Sequence, residues 1–177
     1  MQARRRDLLT FLGAAALAPF LPTVARAAAP PRGVVPLERA RPMLDVSFRG
    51  LDGSELETRD LRGKPSVIVF WATWCAICRG ELPKLARLQA AMADRARIAA
   101  VSLDEEGLPA VRRYVERNDL DALEAFVDQE GIVAGMMGVR AVPTFYVLNP
   151  AGEVVAAGEG RVDWDSPEAE AYLAALA

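Results

Sequence analysis

Histidine is absent from all 177 residues, and cysteine occurs only twice. Without histidine there is no Cys–His or Ser–His nucleophile system. Two cysteines fall short of the four Cys or His ligands of a tetrahedral zinc site, so no metal site is expected. They also fall short of the disulfide framework of a small secreted domain. Long apolar runs are missing too: the stretch from Leu8 to Leu21 is shorter than the ~20 residues of a spanning helix and is broken by Pro19. Basic charge is scarce, with a formal net charge of −3. An acidic chain without a basic patch is a poor match for nucleic acid or anionic lipid. No repeat at a fixed period is present, which excludes solenoids and propellers. What remains is 52% hydrophobic and 25% charged, the composition of a globular domain rather than a disordered one.

The N-terminus has the plan of an export signal. Arg4-Arg5-Arg6 forms a basic head, the short apolar run follows, and Ala25-Arg26-Ala27 is a small-x-small cleavage site. Arg5-Arg6-Asp7-Leu8-Leu9 resembles the twin-arginine signal, with a general secretion signal as the alternative. Residues 1–27 are therefore expected to be a cleaved signal peptide, leaving a periplasmic protein with no stable membrane anchor. Their loss removes four arginines and one aspartate and takes the net charge from −3 to −6. Residues 28–42, rich in Pro, Ala and Arg, read as a mobile leader. Residues 43–177 read as one domain.

Within that domain the hydrophobic periodicity alternates between strand and helix. A hairpin is expected around Phe48 and Leu56, turned at Leu51-Asp52-Gly53-Ser54. Val67 to Trp71 is a continuous apolar run of the kind buried on both faces of a sheet. Leu82, Leu85, Leu88 and Met92 make one stripe of a helix from about Cys75 to Ala93. A strand at Ile98 to Leu103, a helix at Leu108, Val111 and Val115, and a strand at Leu123 to Val127 follow. A short helix from Ile132 to Met137, strands at Thr144 to Leu148 and Val154 to Ala157, and a last helix opened by Ser166-Pro167 complete the chain. This order predicts an α/β domain with a mixed sheet.

Both cysteines fall in Trp74-Cys75-Ala76-Ile77-Cys78, directly after the buried strand and at the start of the helix. A helix N-terminus offers unpaired N–H groups and a favourable dipole to an anion, so Cys75 gains thiolate character. The thiolate is the attacking species, which makes Cys75 the nucleophile and Cys78 the resolving thiol one turn further on. A CxxC is also half of a zinc site, but this chain has no second half.

Phe70-Trp71-Ala72-Thr73-Trp74-Cys75-Ala76-Ile77-Cys78-Arg79-Gly80-Glu81-Leu82-Pro83 resembles the TlpA/ResA-type periplasmic oxidoreductases of the thioredoxin superfamily. Leu61-Arg62-Gly63-Lys64-Pro65 and Asn149-Pro150-Ala151-Gly152-Glu153 are similar as well. The resemblance implies a thioredoxin fold, a mixed central sheet flanked by helices, with an N-terminal β-hairpin and a helix–strand insertion at residues 107–127. It implies that Pro143 is cis, although most X–Pro bonds are trans, and that the backbone of Val142 pairs with a substrate strand. Trp74 would shield the cysteines and contact partners.

Glu81, taken alone, is an ordinary solvated helical residue. The resemblance instead gives it a part in proton exchange with the cysteines, three residues beyond Cys78. Val69 stands where thioredoxins carry a buried acid and cannot move a proton. Ile77 departs from the proline frequent before the second cysteine. With Ala76 and Ile77 bringing no charge or donor, a reducing couple on the order of −200 to −300 mV is expected.

The implied redox group is the Cys75–Cys78 disulfide itself, with no further cofactor. The implied partners are thiol- or disulfide-containing exported proteins, such as cytochrome c precursors or copper-site proteins, and a membrane electron donor. Two rival readings use the same thiols: a Cu(I) metallochaperone, plausible by ligand softness, and a thiol peroxidase. Peroxidatic cysteines follow Thr-x-x, and Ala72 occupies that place here.

Overall fold

The computed structural model describes residues 28–177, so the expected export signal lies outside the described residues. Along the chain run β1 (Val34–Pro42), β2 (Ser47–Gly50), β3 (Glu55–Glu57), β4 (Ser66–Trp71), α1 (Ala76–Met92) and β5 (Arg97–Ser102). Then come α2 (Leu108–Arg117), β6 (Glu124–Val127), α3 (Ile132–Met136), β7 (Thr144–Leu148), β8 (Glu153–Glu159) and α4 (Pro167–Ala175). The strands form one sheet of eight in the order β1-β8-β7-β4-β5-β6-β2-β3. β4 runs parallel to β5, and β5 to β6, while every other neighbouring pair is antiparallel. This is the expected mixed sheet flanked by helices.

β4 organises the core because both of its faces are covered, which is why its sequence shows no polar alternation. Val67, Val69 and Trp71 face one way, into a core shared with Leu82, Leu85 and Leu88 of α1, Val111 of α2 and Leu173 of α4. Ile68 and Phe70 face the other way, against Phe48, Leu56, Phe126 and Ala134. Successive strand residues point to opposite faces, so five consecutive buried apolar residues feed two cores at once.

The hairpin β2–β3 forms where the Asp52-Gly53 turn predicts it, Gly53 taking a positive φ of 86°. Among the described residues it reaches the rest of the sheet through β6, on which β2 pairs antiparallel. The helix–strand insertion is thus the element that docks the N-terminal hairpin. α4 begins as expected: the Ser166 hydroxyl accepts from the Ala169 N–H, with Pro167 in the first turn.

One expectation is corrected. Residues 34–42 are not a mobile leader but strand β1, antiparallel to β8 from Val34↔Gly158 through Pro42↔Glu153. Pro36, Pro42 and the charges of this segment, which read as leader composition, equally suit an edge strand whose outer side faces water. Its entry is closely fitted. Gly33 has a φ of +94°, and a Cβ there would meet the Arg161 carbonyl oxygen at 2.4 Å.

Candidate active site

β4 ends at Trp71, and a turn closed by the Cys75 N–H on the Ala72 carbonyl (3.1 Å) leads into α1. Cys75 caps that helix: its backbone is extended, and its sulfur accepts the Cys78 N–H at 3.1 Å. Cys75 and Cys78 are joined as a disulfide with their Cα atoms 5.3 Å apart. Cys78 is fully buried, whereas Cys75 keeps a small exposed area and lies beside Trp74, which is 68% exposed. The outer sulfur is therefore the one an incoming group can reach.

Val142 and Pro143, 67 positions later, meet this pair. The Val142–Pro143 bond is cis, and the Val142 carbonyl oxygen lies 3.4 Å from the Cys75 sulfur. The Pro143 carbonyl is tied back by the Gly160 N–H at 2.9 Å.

Glu81 is 1% exposed, so the solvated-residue reading fails. Its position three residues after Cys78 puts it on the inward face of α1, where burial is tolerated because both oxygens are engaged. Oε1 receives Lys84 Nζ at 3.0 Å, and Oε2 accepts the Val162 N–H at 3.1 Å. Lys84 Nζ also donates to the Val162 carbonyl at 3.1 Å, so the two side chains grip both sides of one residue's backbone. Pro83, inside α1, has no N–H to give the Arg79 carbonyl one turn back.

Trp71 is core, as expected, packed on Tyr114 with ring centroids 5.2 Å apart. Burial raises the Tyr114 hydroxyl above its ordinary 10.0, and the charge of Arg79 partly opposes this. Val69, in the place of the missing acid, is fully buried and apolar.

Asp104, just past β5, was not anticipated. It is 4% exposed and takes hydrogen bonds from the turn residue Thr73. A lone aspartate in Ser-Leu-Asp-Glu-Glu carries no signal of its own, and only the parallel pairing of β4 and β5 brings it to that turn. Among the described residues no group of three or more His, Cys, Asp or Glu could hold a metal ion. No helix among them is long and apolar enough to cross a membrane.

Relatives support the same picture. Thioredoxin-like protein YneN of Bacillus subtilis (strain 168) is 34% identical over 112 residues, covering 62% of this chain and 65% of the relative. Thiol-disulfide oxidoreductase ResA of Oceanobacillus iheyensis is 33% identical over 124 residues, covering 70% of this chain and 62% of the relative. The chain thus spans less than two thirds of the length of these curated relatives. Among solved structures, MTB dsbF is 30% identical with a TM-score of 0.66, over 76% of this chain and 96% of that one. A thiol:disulfide interchange protein DsbE from Chlorobium tepidum is 25% identical with a TM-score of 0.70, over 80% and 99%. These neighbours make the fold thioredoxin-like. A family model that takes in the cysteine pair, the cis-proline and every strand from β2 to β7 matches residues 40–157, and the chain belongs to the AhpC/TSA family.

Proposed function

We propose that this protein is an exported thiol–disulfide oxidoreductase that reduces disulfides of other exported proteins. The observation that carries the reading is the Cys75 sulfur, which caps α1 and faces the Val142 carbonyl before cis-Pro143. In the reduced protein the Cys75 thiolate attacks a substrate disulfide; one substrate sulfur leaves as a thiol and a mixed disulfide forms. Cys78 then attacks Cys75, releasing the second substrate thiol and closing the Cys75–Cys78 disulfide. The Val142 backbone pairs with the substrate strand, and exposed Trp74 covers its flank. Glu81 exchanges protons with Cys78, both groups being buried on one face of α1. Turnover in an oxidising compartment requires a membrane electron donor to restore the dithiol. Cytochrome c precursors and copper-site proteins are the substrate classes to which the resemblance points. Membership of the AhpC/TSA family leaves room for peroxide reduction, but Ala72 replaces the threonine expected three residues before a peroxidatic cysteine.

Trapping tests the reading. Cys78→Ser should accumulate mixed disulfides with exported proteins, and Cys75→Ser should not. Redox titration of the wild type should give a couple in the range of about −200 to −300 mV, because Ala76 and Ile77 give the reduced state no added stabilisation. Trapping through Cys78 alone, or a potential near −120 mV as in a strong periplasmic oxidant, would reverse the assignment.

A further inference from the structure

The turn that presents Cys75 is tied to one buried carboxylate. Asp104 Oδ2 accepts the Thr73 N–H at 2.9 Å and the Ser102 hydroxyl at 2.5 Å, and Oδ1 accepts the Thr73 hydroxyl at 2.6 Å. The Asp104 N–H donates back to the Ser102 hydroxyl oxygen at 3.1 Å. A carboxylate this deeply buried persists only when donors occupy its oxygens. Two of these three donors belong to a single residue, and the third rises from β5 alongside β4.

That residue is the second of the turn Ala72–Cys75, closed by the Cys75 N–H on the Ala72 carbonyl. Held by both its main chain and its side chain, Thr73 cannot rotate independently of Asp104. The backbone entering Cys75 is fixed with it. The Cys75 sulfur then stays within reach of the Cys78 N–H, 3.1 Å away.

We propose that Asp104 is a positioning residue for Cys75, acting through Thr73 to hold the Cys75 sulfur on the Cys78 N–H in the first turn of α1. The inference rests on the reading of Cys75 as the attacking thiol. Two effects of Asp104 have opposite signs here. Its charge, two residues from Cys75 through Thr73, disfavours a thiolate. Its hold on the turn favours one, by keeping an N–H donor on the sulfur. Removing the side chain therefore separates them: a charge effect makes Cys75 more reactive, and a positioning effect makes it less so.

Alkylation of the reduced protein by iodoacetamide at pH 6, followed by mass, reads Cys75 directly. It uses no disulfide substrate, so its outcome is separate from that of the oxidoreductase reading. Asp104→Ala should slow alkylation about fourfold, a tenfold loss of thiolate being partly offset by the greater nucleophilicity of the less acidic thiol. Asp104→Asn, which keeps an acceptor for the Thr73 N–H, should stay within about twofold of wild type. Thr73→Val should be slowed and Thr73→Ser should not. Asp104→Ala combined with Thr73→Val should lose no more than Asp104→Ala alone, since the two act as one contact. Unchanged or faster alkylation in Asp104→Ala, an equal loss in Asp104→Asn, or losses that multiply in the double variant would overturn the proposal. If Asp104→Ala does not fold, the Thr73→Val and Thr73→Ser pair decides between the same two effects, equal rates in the two refuting the proposal.

Discussion

Cys75 and Glu81 show how differently single residues declare themselves. The place of Cys75 follows from its immediate neighbours: a helix start supplies N–H donors to whatever side chain caps it, and the Cys75 sulfur takes the Cys78 N–H. Glu81 could not be judged that way, because a glutamate on a helix is solvated on one face and buried on the other. The structure buries it and supplies Lys84 and the Val162 N–H as partners. Glu81→Gln retains an oxygen for the Val162 N–H. Lys84 keeps its bond to the Val162 carbonyl, and its side chain, 23% exposed, reaches water. The fold should therefore survive. Thiol exchange should slow by about a hundredfold, the lower end of what a positioned acid–base group contributes, and its pH–rate profile should change shape. Stopped-flow exchange with a small disulfide across the pH range measures both; an unaltered profile would leave Glu81 with only its grip on Val162.

Secondary structure divides in the same way between elements with local signals and one without. β4, α1 and the hairpin turn at Gly53 were legible because period, burial and turn chemistry all agree along a few consecutive residues. β1 was not legible. Two prolines and several charges mask it, and the pairing with β8 that makes it a strand involves residues more than a hundred positions away. Its glycine signal is visible only in three dimensions. Gly33 needs a positive φ and leaves no room for a Cβ beside the Arg161 backbone, and a Cβ at Gly158 would likewise meet the Gly33 carbonyl oxygen at 2.5 Å. Gly33→Ala should thus destabilise the protein by about 1–3 kcal/mol. Urea denaturation at neutral pH measures the loss, and a variant as stable as wild type would show that β1 contributes little to the sheet.

At the scale of the whole molecule, the three tyrosines of the chain report on packing together. Burial raises the hydroxyls of Tyr114, Tyr146 and Tyr172 above 10.0, the charge of Glu159 adding to the effect at Tyr146. The Tyr146 hydroxyl also donates to the Met137 carbonyl at 2.8 Å, a bond only the neutral form can make. In the unfolded chain all three ionise near the ordinary value of 10.0. Below that pH both states hold their protons and this contribution is intact. As pH rises above about 10 the unfolded state loses protons first, so stability falls and is lost as pH passes through the raised native values. Ultraviolet titration of tyrosinate, native against urea-unfolded, together with thermal unfolding between about pH 8 and pH 11, checks the sign. Coincident titration curves would refute it.

The amino-acid sequence by itself determined the spacing of the cysteine pair at a helix start and the alternation of strands and helices, because each depends on spacing within one element or across one turn. Tertiary structure alone decided which side chains complete the site. The Val142 carbonyl meets Cys75 across 67 positions, Asp104 meets Thr73 across 31, and the Val162 N–H meets Glu81 across 81. Nothing local specifies such contacts. They arise when β5 and β7 pair on either side of β4 and β8 adds to β7, which brings the segments after β5, before β7 and after β8 to α1. The same long-range pairing turned residues 34–42 from apparent leader into strand, since an edge strand is defined by the neighbour it hydrogen-bonds rather than by its own composition.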